Sequence, residues 1–193
     1  MKIFALTQAD APHIAHLHAQ ALAGDFLPSL GKRFLTLCYA NVLTKPDIYG
    51  SIAKDHDVPV GFVLGTKSMR HFMKLALSSR KVQMATLLLG QILRRPRITK
   101  KVLETLFYTK KEVGPEAELV VVAVDEKLRG RGVGRKLVEK LEKDFMRQGV
   151  NHYKLTVHAD KPAVLFYERL GFVRLATFWM YGKMWYVYEK RIV

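Results

Sequence analysis

The amino-acid sequence predicts an α/β fold in a single domain spanning residues 1–193, with a central sheet flanked by helices. Two observations carry this prediction. The run from Leu119 to Val124 is apolar and mostly β-branched, as in a strand buried on both faces, and a glycine loop and an amphipathic helix follow it directly. Along the rest of the chain, strand-like and helix-like segments are interspersed, and the length suffices for one hydrophobic core.

Residues 1–66 predict a strand, two helices and a pair of antiparallel strands. Gly24 ends the first helix, and a polar turn over residues 55–59 joins the paired strands. The predicted elements are a strand from Lys2 to Leu6, helices from Ala11 to Ala23 and from about Leu30 to Leu43, and strands from Ile48 to Lys54 and from Val60 to Thr66.

Residues 67–114 predict a helical segment of unusual charge. Met69 to Leu93 suits one or two helices, Pro96 interrupts them, and another helix begins near Ile98. Between Lys67 and Lys111 the chain has twelve lysines and arginines and one acid, so this segment carries +11 of the formal net charge of +15. Such a charge invites an anionic partner: nucleic acid, a membrane surface or a small ligand.

The segment after the apolar strand predicts a phosphate-binding loop at a helix N-terminus. Arg129 to Gly134 is rich in glycine and arginine, and an apolar stripe at helical spacing begins at Val133 and ends before Gly149. Unpaired N–H groups and the positive end of the helix dipole favour an anion there. The dinucleotide fingerprint fails because Arg135 stands at its last glycine position, and the P-loop pattern fails because no Gly-Lys-Ser/Thr closes the loop.

The C-terminal part predicts a strand, a helix and an aromatic-rich hairpin. Asp160 is the expected N-cap of the helix, and Gly171 ends it. The predicted elements are a strand from His152 to Val157, a helix from Lys161 to Leu170, and hairpin strands from Phe172 to Tyr181 and from Met184 to Lys190.

Two motifs in the second half resemble the GNAT superfamily, the acyl-CoA-dependent N-acyltransferases. The first is R-x-x-G-x-G, at Arg129, Gly132 and Gly134. The second is D-x-x-A-x-x-F-Y-x-x-x-G-F from Asp160 to Phe172, where the family usually has Asn at the first position. The resemblance is close from the fourth strand to the end of the sequence. In the residues before the fourth strand it rests only on the order of the predicted strands and helices. It implies a mixed, mostly antiparallel sheet of six to seven strands, with residues 67–114 inserted between the third and fourth strands.

The resemblance also implies a site for acetyl-CoA as co-substrate. The fourth and fifth strands should splay apart, so that the pantetheine arm pairs with the backbone of the fourth strand and the pyrophosphate lies on the loop amides. Tyr167 matches the usual general acid, and Glu118 is the candidate general base, with His158 and water relays as alternatives. The predicted cofactor-binding residues are Val122, Ala123, Val124, Arg129, Gly130, Arg131, Gly132, Val133, Gly134 and Arg135.

The function implied is that of an N-acetyltransferase acting in a ternary complex on a primary amine of a small molecule, an amino sugar or a protein. The basic insertion favours an acceptor that carries anionic groups. The alternative is a CoA-binding GNAT-fold protein whose insertion docks on an anionic membrane or on nucleic acid. For the insertion itself, a subunit interface of a homodimer or a lid with a solvated basic face is preferred over both of these contacts.

Composition points to a reducing compartment and to chemistry without a metal. The one cysteine, Cys38, cannot form an internal disulfide, and neither a signal peptide nor an apolar run long enough to cross a bilayer is recognisable, so a cytoplasmic location is expected. His13, His16 and His18 are close in sequence, but without cysteines or clustered carboxylates a solvated helix face is the better interpretation than a metal site.

Overall fold

The computed structural model describes residues 1–43, 45–78, 80–108 and 113–193, and it shows a seven-stranded sheet with helices on both faces. The strands are β1 Lys2–Ala5, β2 Ile48–Asp55, β3 Val58–Thr66, β4 Glu118–Val124, β5 His152–His158, β6 Val173–Met180 and β7 Lys183–Arg191. The helices are α1 Ala11–Ala21, α2 Phe26–Ser29, α3 Lys32–Val42, α4 Met69–Ala76, α5 Lys81–Arg94, α6 Ile98–Tyr108, α7 Val133–Arg147 and α8 Ala163–Arg169.

The strand order is β1-β2-β3-β4-β5-β7-β6, and every adjacent pair is antiparallel except β4 and β5. The α/β prediction, with its mixed and mostly antiparallel sheet, is therefore confirmed. The predicted helical insertion lies between β3 and β4 as three helices, α4 to α6. Lys110 and Lys111, which belong to its predicted basic set, lie outside the described residues.

Several predicted helices have different boundaries in the structure. The first ends at Ala21 rather than Ala23. The helix expected from about Leu30 to Leu43 is α3, which begins at Lys32 because Gly31 adopts φ +94°, outside the helical range. The short helix α2 before it, Phe26–Ser29, was not predicted. The last helix begins at Ala163 rather than Lys161, and Asp160 is not its N-cap. The reason lies in the preceding turn, where the Asp160 N–H donates to the His158 ring and the Lys161 N–H donates to the His158 carbonyl.

The sheet separates two hydrophobic clusters. On one face α7 packs through Leu137, Leu141 and Phe145, and on the other α1, α3 and α4 pack against β2 to β4. A third, smaller cluster joins α5 and the start of α6 to α2 and α3, and its buried members are Phe26, Leu30, Phe34, Leu37, Met84 and Ile98. The insertion is thus packed on the outer side of α3. Among the described residues, no helix has both the length and the apolar character needed to span a membrane.

We expect Gly65→Ala to destabilise the fold, because Gly65 allows β3 to lie directly under α7. A Cβ at this position would lie 2.8 Å from Phe145 Cζ and 2.9 Å from Leu141 Cδ1. Overpacking of this kind costs about 1–3 kcal/mol, measurable by urea denaturation. Gly90→Ala is the control: Gly90 lies within α5 with no neighbour within 4 Å of its would-be Cβ, so alanine should stabilise by about 0.5–1 kcal/mol. Equal unfolding free energies for the two variants would contradict this packing.

Candidate functional site

The parallel strands β4 and β5 meet at one end and diverge toward the other. Their only register pair is Glu118 with Lys154, supported by a 2.9 Å hydrogen bond from the Lys154 N–H to the Ala117 carbonyl. Along its whole length β5 pairs with β7. Within the described chain, Leu119 and residues 121–124 of β4 pair with β3 alone. Val122, Ala123 and Val124 therefore border the opening, and the backbone groups on that edge are available to an extended ligand.

A bulge at Val120 reorients β4 where the opening begins. Leu64 of β3 pairs with Val121 and Gly65 with Leu119, so Val120 is an extra residue in β4. Leu119 and Val121 would share a face in a regular strand, yet they belong to the opposite hydrophobic clusters. Sequence reasoning missed this bulge because a continuous apolar run carries no alternation in which a shift could be seen.

The loop after β4 presents its backbone amides at the N-terminus of α7. A 3₁₀ turn over Glu126–Leu128 is held by the Asp125 carboxylate, which accepts from the Lys127 N–H at 2.9 Å. Gly130 and Gly132 have φ of +77° and +78°, a conformation that favours glycine, and nothing lies within 4 Å of their would-be Cβ atoms. Throughout the described chain, no backbone carbonyl accepts from the amides of residues 130–135.

The predicted loop residues divide into exposed, anchoring and packing positions. Arg131 and Arg135 are exposed, and no described carboxylate forms an ion pair with either. Arg129 fastens the loop to the end of α1 through a 3.1 Å hydrogen bond from Nη2 to the Ala21 carbonyl. Val133 is buried, and a Cβ on Gly134 would lie 3.3 Å from the Phe166 ring, so these two residues pack α7 onto the sheet and α8.

These features fit the diphosphate and pantetheine of coenzyme A. Six amides without a backbone acceptor lie at the positive end of a fifteen-residue helix, next to unpaired guanidinium groups. The loop directly continues the open edge of β4, so an extended arm leading from the phosphates would lie along that edge. The predicted cofactor residues thus form two groups, 122–124 and 129–135, joined by one short turn.

Tyr167, the predicted acid, lies on α8 with 7% of its surface exposed. Its ring packs against Phe166 and Phe172, with centroids 5.2 and 5.6 Å away. Burial raises the pKa of the Tyr167 phenol above its ordinary value, because desolvation disfavours the phenolate. The phenol is therefore protonated throughout the neutral pH range, the state that a proton donor needs.

Glu118, the predicted base, lies at the vertex of the opening with 1% of its surface exposed. Its Oε1 accepts from the Thr156 hydroxyl at 3.5 Å. The neighbouring Lys154 is also buried, and its ammonium donates to the Val113 carbonyl at 3.0 Å. A carboxylate is therefore held inside the sheet at the end of the open edge.

His158, the alternative base, is oriented as a hydrogen-bond donor. Its Nδ1 accepts from the Asp160 N–H at 3.2 Å, so the neutral ring carries its proton on Nε2. Burial, supported by Lys183, lowers the pKa of His158, which keeps the ring neutral at pH 7. Nε2 is buried without a hydrogen-bond partner within the described chain. An Nε2–H has no lone pair to take a proton, and this geometry disfavours the base role.

Aromatic residues that sequence reasoning did not assign to the site adjoin His158. The Trp185 ring meets the His158 ring edge-on at 5.5 Å, Tyr181 lies 6.0 Å from Trp185, and Phe26 lies 5.1 Å from Tyr181. The insertion holds this group in place, since Thr105 Oγ1 hydrogen-bonds Tyr181 Oη at 2.6 Å and Glu104 accepts from the Tyr181 N–H. The aromatic content of the predicted hairpin was the only sequence feature that could have indicated these residues. It did not indicate that the hairpin contacts the insertion.

The three histidines of α1 differ in environment. His13 and His16 are exposed, as a solvated helix face predicts. His18 is buried instead, with Nδ1 hydrogen-bonded to Tyr39 Oη, and burial lowers its pKa to about 4. No group of His, Cys, Asp or Glu among the described residues is arranged to hold a metal ion.

A sheet that splits beside a glycine loop at a helix N-terminus defines a class of site that suits a long, phosphate-bearing ligand in extended form. The sequence agrees with this class, because residues 18–172 match the acetyltransferase (GNAT) family. The chain therefore belongs to the acetyltransferase (GNAT) family, and the resemblance of its two motifs is confirmed.

Solved structures share the fold over nearly the whole chain. The ribosomal-protein-S18-alanine N-acetyltransferase from Escherichia coli has 17% sequence identity and a TM-score of 0.63, with 99% of this chain and 93% of that chain covered. The ribosomal-protein-alanine N-acetyltransferase from Brucella melitensis has 15% identity and a TM-score of 0.64, with 100% of both chains covered. The PaiA N-acetyltransferase from Thermoplasma acidophilum, solved in complex with coenzyme A, has 15% identity and a TM-score of 0.62, with 99% of both chains covered.

One curated relative is similar in part of the sequence. The mycothiol acetyltransferase from Catenulispora acidiphila is 39% identical over 69 residues. The matched segment covers 35% of this chain and 22% of that protein. This likeness supports the family and leaves the acceptor open.

We expect Gly132→Val to lower the affinity for coenzyme A at least tenfold, because a branched side chain strains φ +78° and projects into the loop that would hold the diphosphate. Gly149→Val is a matched control. Gly149 has φ +75° and equally open surroundings at the far end of α7, so both variants should lose a similar ~1–2 kcal/mol of stability. Isothermal titration with coenzyme A, beside thermal unfolding, separates the effects. Unchanged affinity in Gly132→Val would exclude the loop as the phosphate site.

Proposed function

We propose that the protein is an N-acetyltransferase that transfers the acetyl group of acetyl-CoA directly to a primary amine in a ternary complex. The observation that carries the proposal is the open edge of β4, which leads without interruption into a loop of unpaired amides. Membership of the acetyltransferase (GNAT) family supports acetyl-CoA as the donor.

In this proposal the cofactor lies along β4 and the loop. The pantetheine amides pair with the backbone of Val122, Ala123 and Val124, in the manner of an added strand. The diphosphate accepts hydrogen bonds from the amides of residues 130–134 and is neutralised by Arg131 and Arg135. Arg129 acts through the loop conformation, since its side chain is engaged with α1.

The reaction needs a neutral amine, an oxyanion site and a proton for the leaving thiolate. The Glu118 carboxylate accepts the proton of the ammonium, directly or through one water, and the free amine attacks the thioester carbonyl. A backbone N–H of β4 beside the bulge stabilises the developing oxyanion. As the C–S bond breaks, the Tyr167 phenol donates its proton to the coenzyme A sulfur, and the attacking nitrogen gives up its extra proton, through water, to the resulting phenolate. The products are the acetylated amine and free coenzyme A, with Tyr167 protonated again.

The acceptor enters from the side of the aromatic residues and α6. His158 contributes an Nε2–H donor, and Trp185 and Tyr181 contribute apolar walls beside it. A donor and aromatic faces suit an amine attached to a small molecule, an amino sugar or a chain terminus. The net charge of +15 favours an acceptor with phosphate or carboxylate groups over a polycation.

A direct test is binding of acetyl-CoA followed by thiol release. Acetyl-CoA should raise the unfolding temperature in proportion to the logarithm of its concentration, because a ligand that binds only the folded state stabilises it by mass action. A panel of amines, with and without anionic groups, is then assayed for release of free coenzyme A. Absence of any thermal shift at saturating acetyl-CoA would refute the proposed donor.

The acid and base should affect opposite limbs of the pH–rate profile. Tyr167→Phe should lower kcat about 10²–10⁴-fold while leaving the acetyl-CoA Kd nearly unchanged. Because burial raises the Tyr167 pKa, the wild-type rate should persist to higher pH than for an exposed tyrosine and fall only as the phenol ionises. Glu118→Gln should abolish the limb at low pH, where the wild-type base becomes protonated.

Tyr49→Phe is the control for the phenol. Tyr49 also packs its ring edge against a core phenylalanine, Phe145, but it lies on β2 away from the opening. This variant should retain the wild-type kcat and pH profile. A Tyr167→Phe enzyme with the same kcat as Tyr49→Phe would assign Tyr167 to packing alone.

A further inference from the structure

Helix α5 presents an apolar line to solvent on the side opposite its buried face. Val82, Leu89 and Leu93 have exposed fractions of 81%, 56% and 73%. Their spacing of seven and four residues places them within about 20° of one line along the helix. Met84, on the opposite side, is buried in the cluster with α2 and α3, so the fold already uses the inner face of α5. Val82, Leu89 and Leu93 take no part in the hydrophobic clusters of the described chain.

The same part of the chain carries cations without acids. Residues 81–103 contain six lysines and arginines and no aspartate or glutamate: Lys81, Arg94, Arg95, Arg97, Lys100 and Lys101. Within the described residues, none of the six forms an ion pair with a carboxylate. Lys32 and Arg33 of α3 line a groove with Gln83 of α5 and extend the positive charge to the next helix.

We propose that this surface docks on an anionic lipid bilayer, with α5 lying in the plane of the interface. The α5 surface is defined by Val82, Leu89 and Leu93 together with the six cations of residues 81–103. The aliphatic side chains enter the boundary of the acyl chains, and the lysines and arginines contact the anionic headgroups. Each cation near such a surface strengthens binding about fivefold at low salt. A bilayer accounts for the exposed aliphatic side chains and for the unpaired cations together.

Two other occupants fit the α5 surface less well. A second copy of the chain would bring two sets of unpaired cations together, and both molecules carry +15. Nucleic acid would satisfy the cations, but it would leave the leucines exposed, and residues 81–103 contain no aromatic side chain on which a base could stack. A bilayer offers acyl chains and anions within one surface.

The α5 surface is connected to the acceptor side of the site. Helix α6 follows α5 directly and holds the β6–β7 turn through Thr105, Glu104 and Tyr181. A protein docked through α5 would therefore hold the aromatic residues around His158 near the membrane interface. The docking itself does not depend on acetyl transfer and is tested separately.

The test is co-sedimentation of the full chain with vesicles of phosphatidylcholine alone and of phosphatidylcholine mixed with phosphatidylglycerol. Binding is expected to the mixed vesicles only, and it should weaken as salt screens the headgroups. Leu89→Ser with Leu93→Ser should reduce binding at least ~10-fold through lost apolar burial. Arg94→Ser with Arg95→Ser and Arg97→Ser should reduce it about 100-fold at low salt and less at high salt.

Two matched variants control for general changes in charge and hydrophobicity. Val58→Ser with Met146→Ser removes exposed apolar side chains elsewhere, and Lys2→Ser with Lys143→Ser and Arg169→Ser removes the same charge from other surfaces. Both should bind vesicles nearly as well as the wild type. Circular dichroism and thermal unfolding verify that every variant is folded.

Three results would overturn the proposal. One is equal binding by the α5-surface variants and their controls. Another is failure of the folded wild type to bind the mixed vesicles, and a nucleic-acid gel shift that the triple arginine variant loses would then assign the surface to nucleic acid. The third is a concentration-dependent dimer, seen by analytical ultracentrifugation, that the double leucine variant abolishes, since this would assign the surface to contacts between copies.

Discussion

The unpaired edge of β4 is the constraint on which the rest of the structure depends. Buried backbone N–H and C=O groups need hydrogen-bond partners. This also holds along the edge of a strand that has no neighbouring strand. Here β5 pairs with β7 along its length and meets β4 at Glu118 and Lys154 alone. The sheet therefore keeps a gap at its centre that a ligand with its own amides can fill, and this arrangement suits a carrier such as pantetheine.

Packing on both faces fixes the half of the sheet that ends in β4. Helix α7 lies against β2, β3 and β4, with Gly65 permitting close approach and Phe145 reaching Tyr49 and Tyr153 at ring-centroid distances of 5.5 and 5.3 Å. On the other face α1 and α3 cover β2 to β4. The bulge at Val120 shifts the alternation of β4, so that Leu119 and Val121, which would share a face of a regular strand, lie in opposite clusters.

The insertion links three parts of the molecule. Its inner face builds a small core with α2 and α3, and its last helix holds Tyr181 beside Trp185 and His158. Its outer face carries the aliphatic line of α5 and the unpaired cations. One segment thus connects the aromatic residues beside His158 to the surface that we propose for the membrane.

The sequence by itself determined the fold class, the glycine loop and the family, because these depend on local features. Apolar runs, helical stripes and glycines at left-handed positions act within a few residues of one another, as Leu119–Val124 and Gly132 illustrate. Helix boundaries depend on contacts that the sequence pattern does not show. Asp160 has the residue type of a helix N-cap, but its N–H donates to the His158 ring and the helix begins only at Ala163.

Only the tertiary structure decided how distant residues meet. Glu118 lies at the vertex of the opening because its strand pairs there with Lys154. His158 is a hydrogen-bond donor through Nε2 because its Nδ1 accepts from the Asp160 N–H in the following turn. Thr105 contacts Tyr181 across 76 positions of sequence, and Val82, Leu89 and Leu93 face solvent because Met84 faces the core. Such contacts depend on which elements pack together. The spacing of apolar residues in one segment identifies its buried face but does not identify the element that packs against that face.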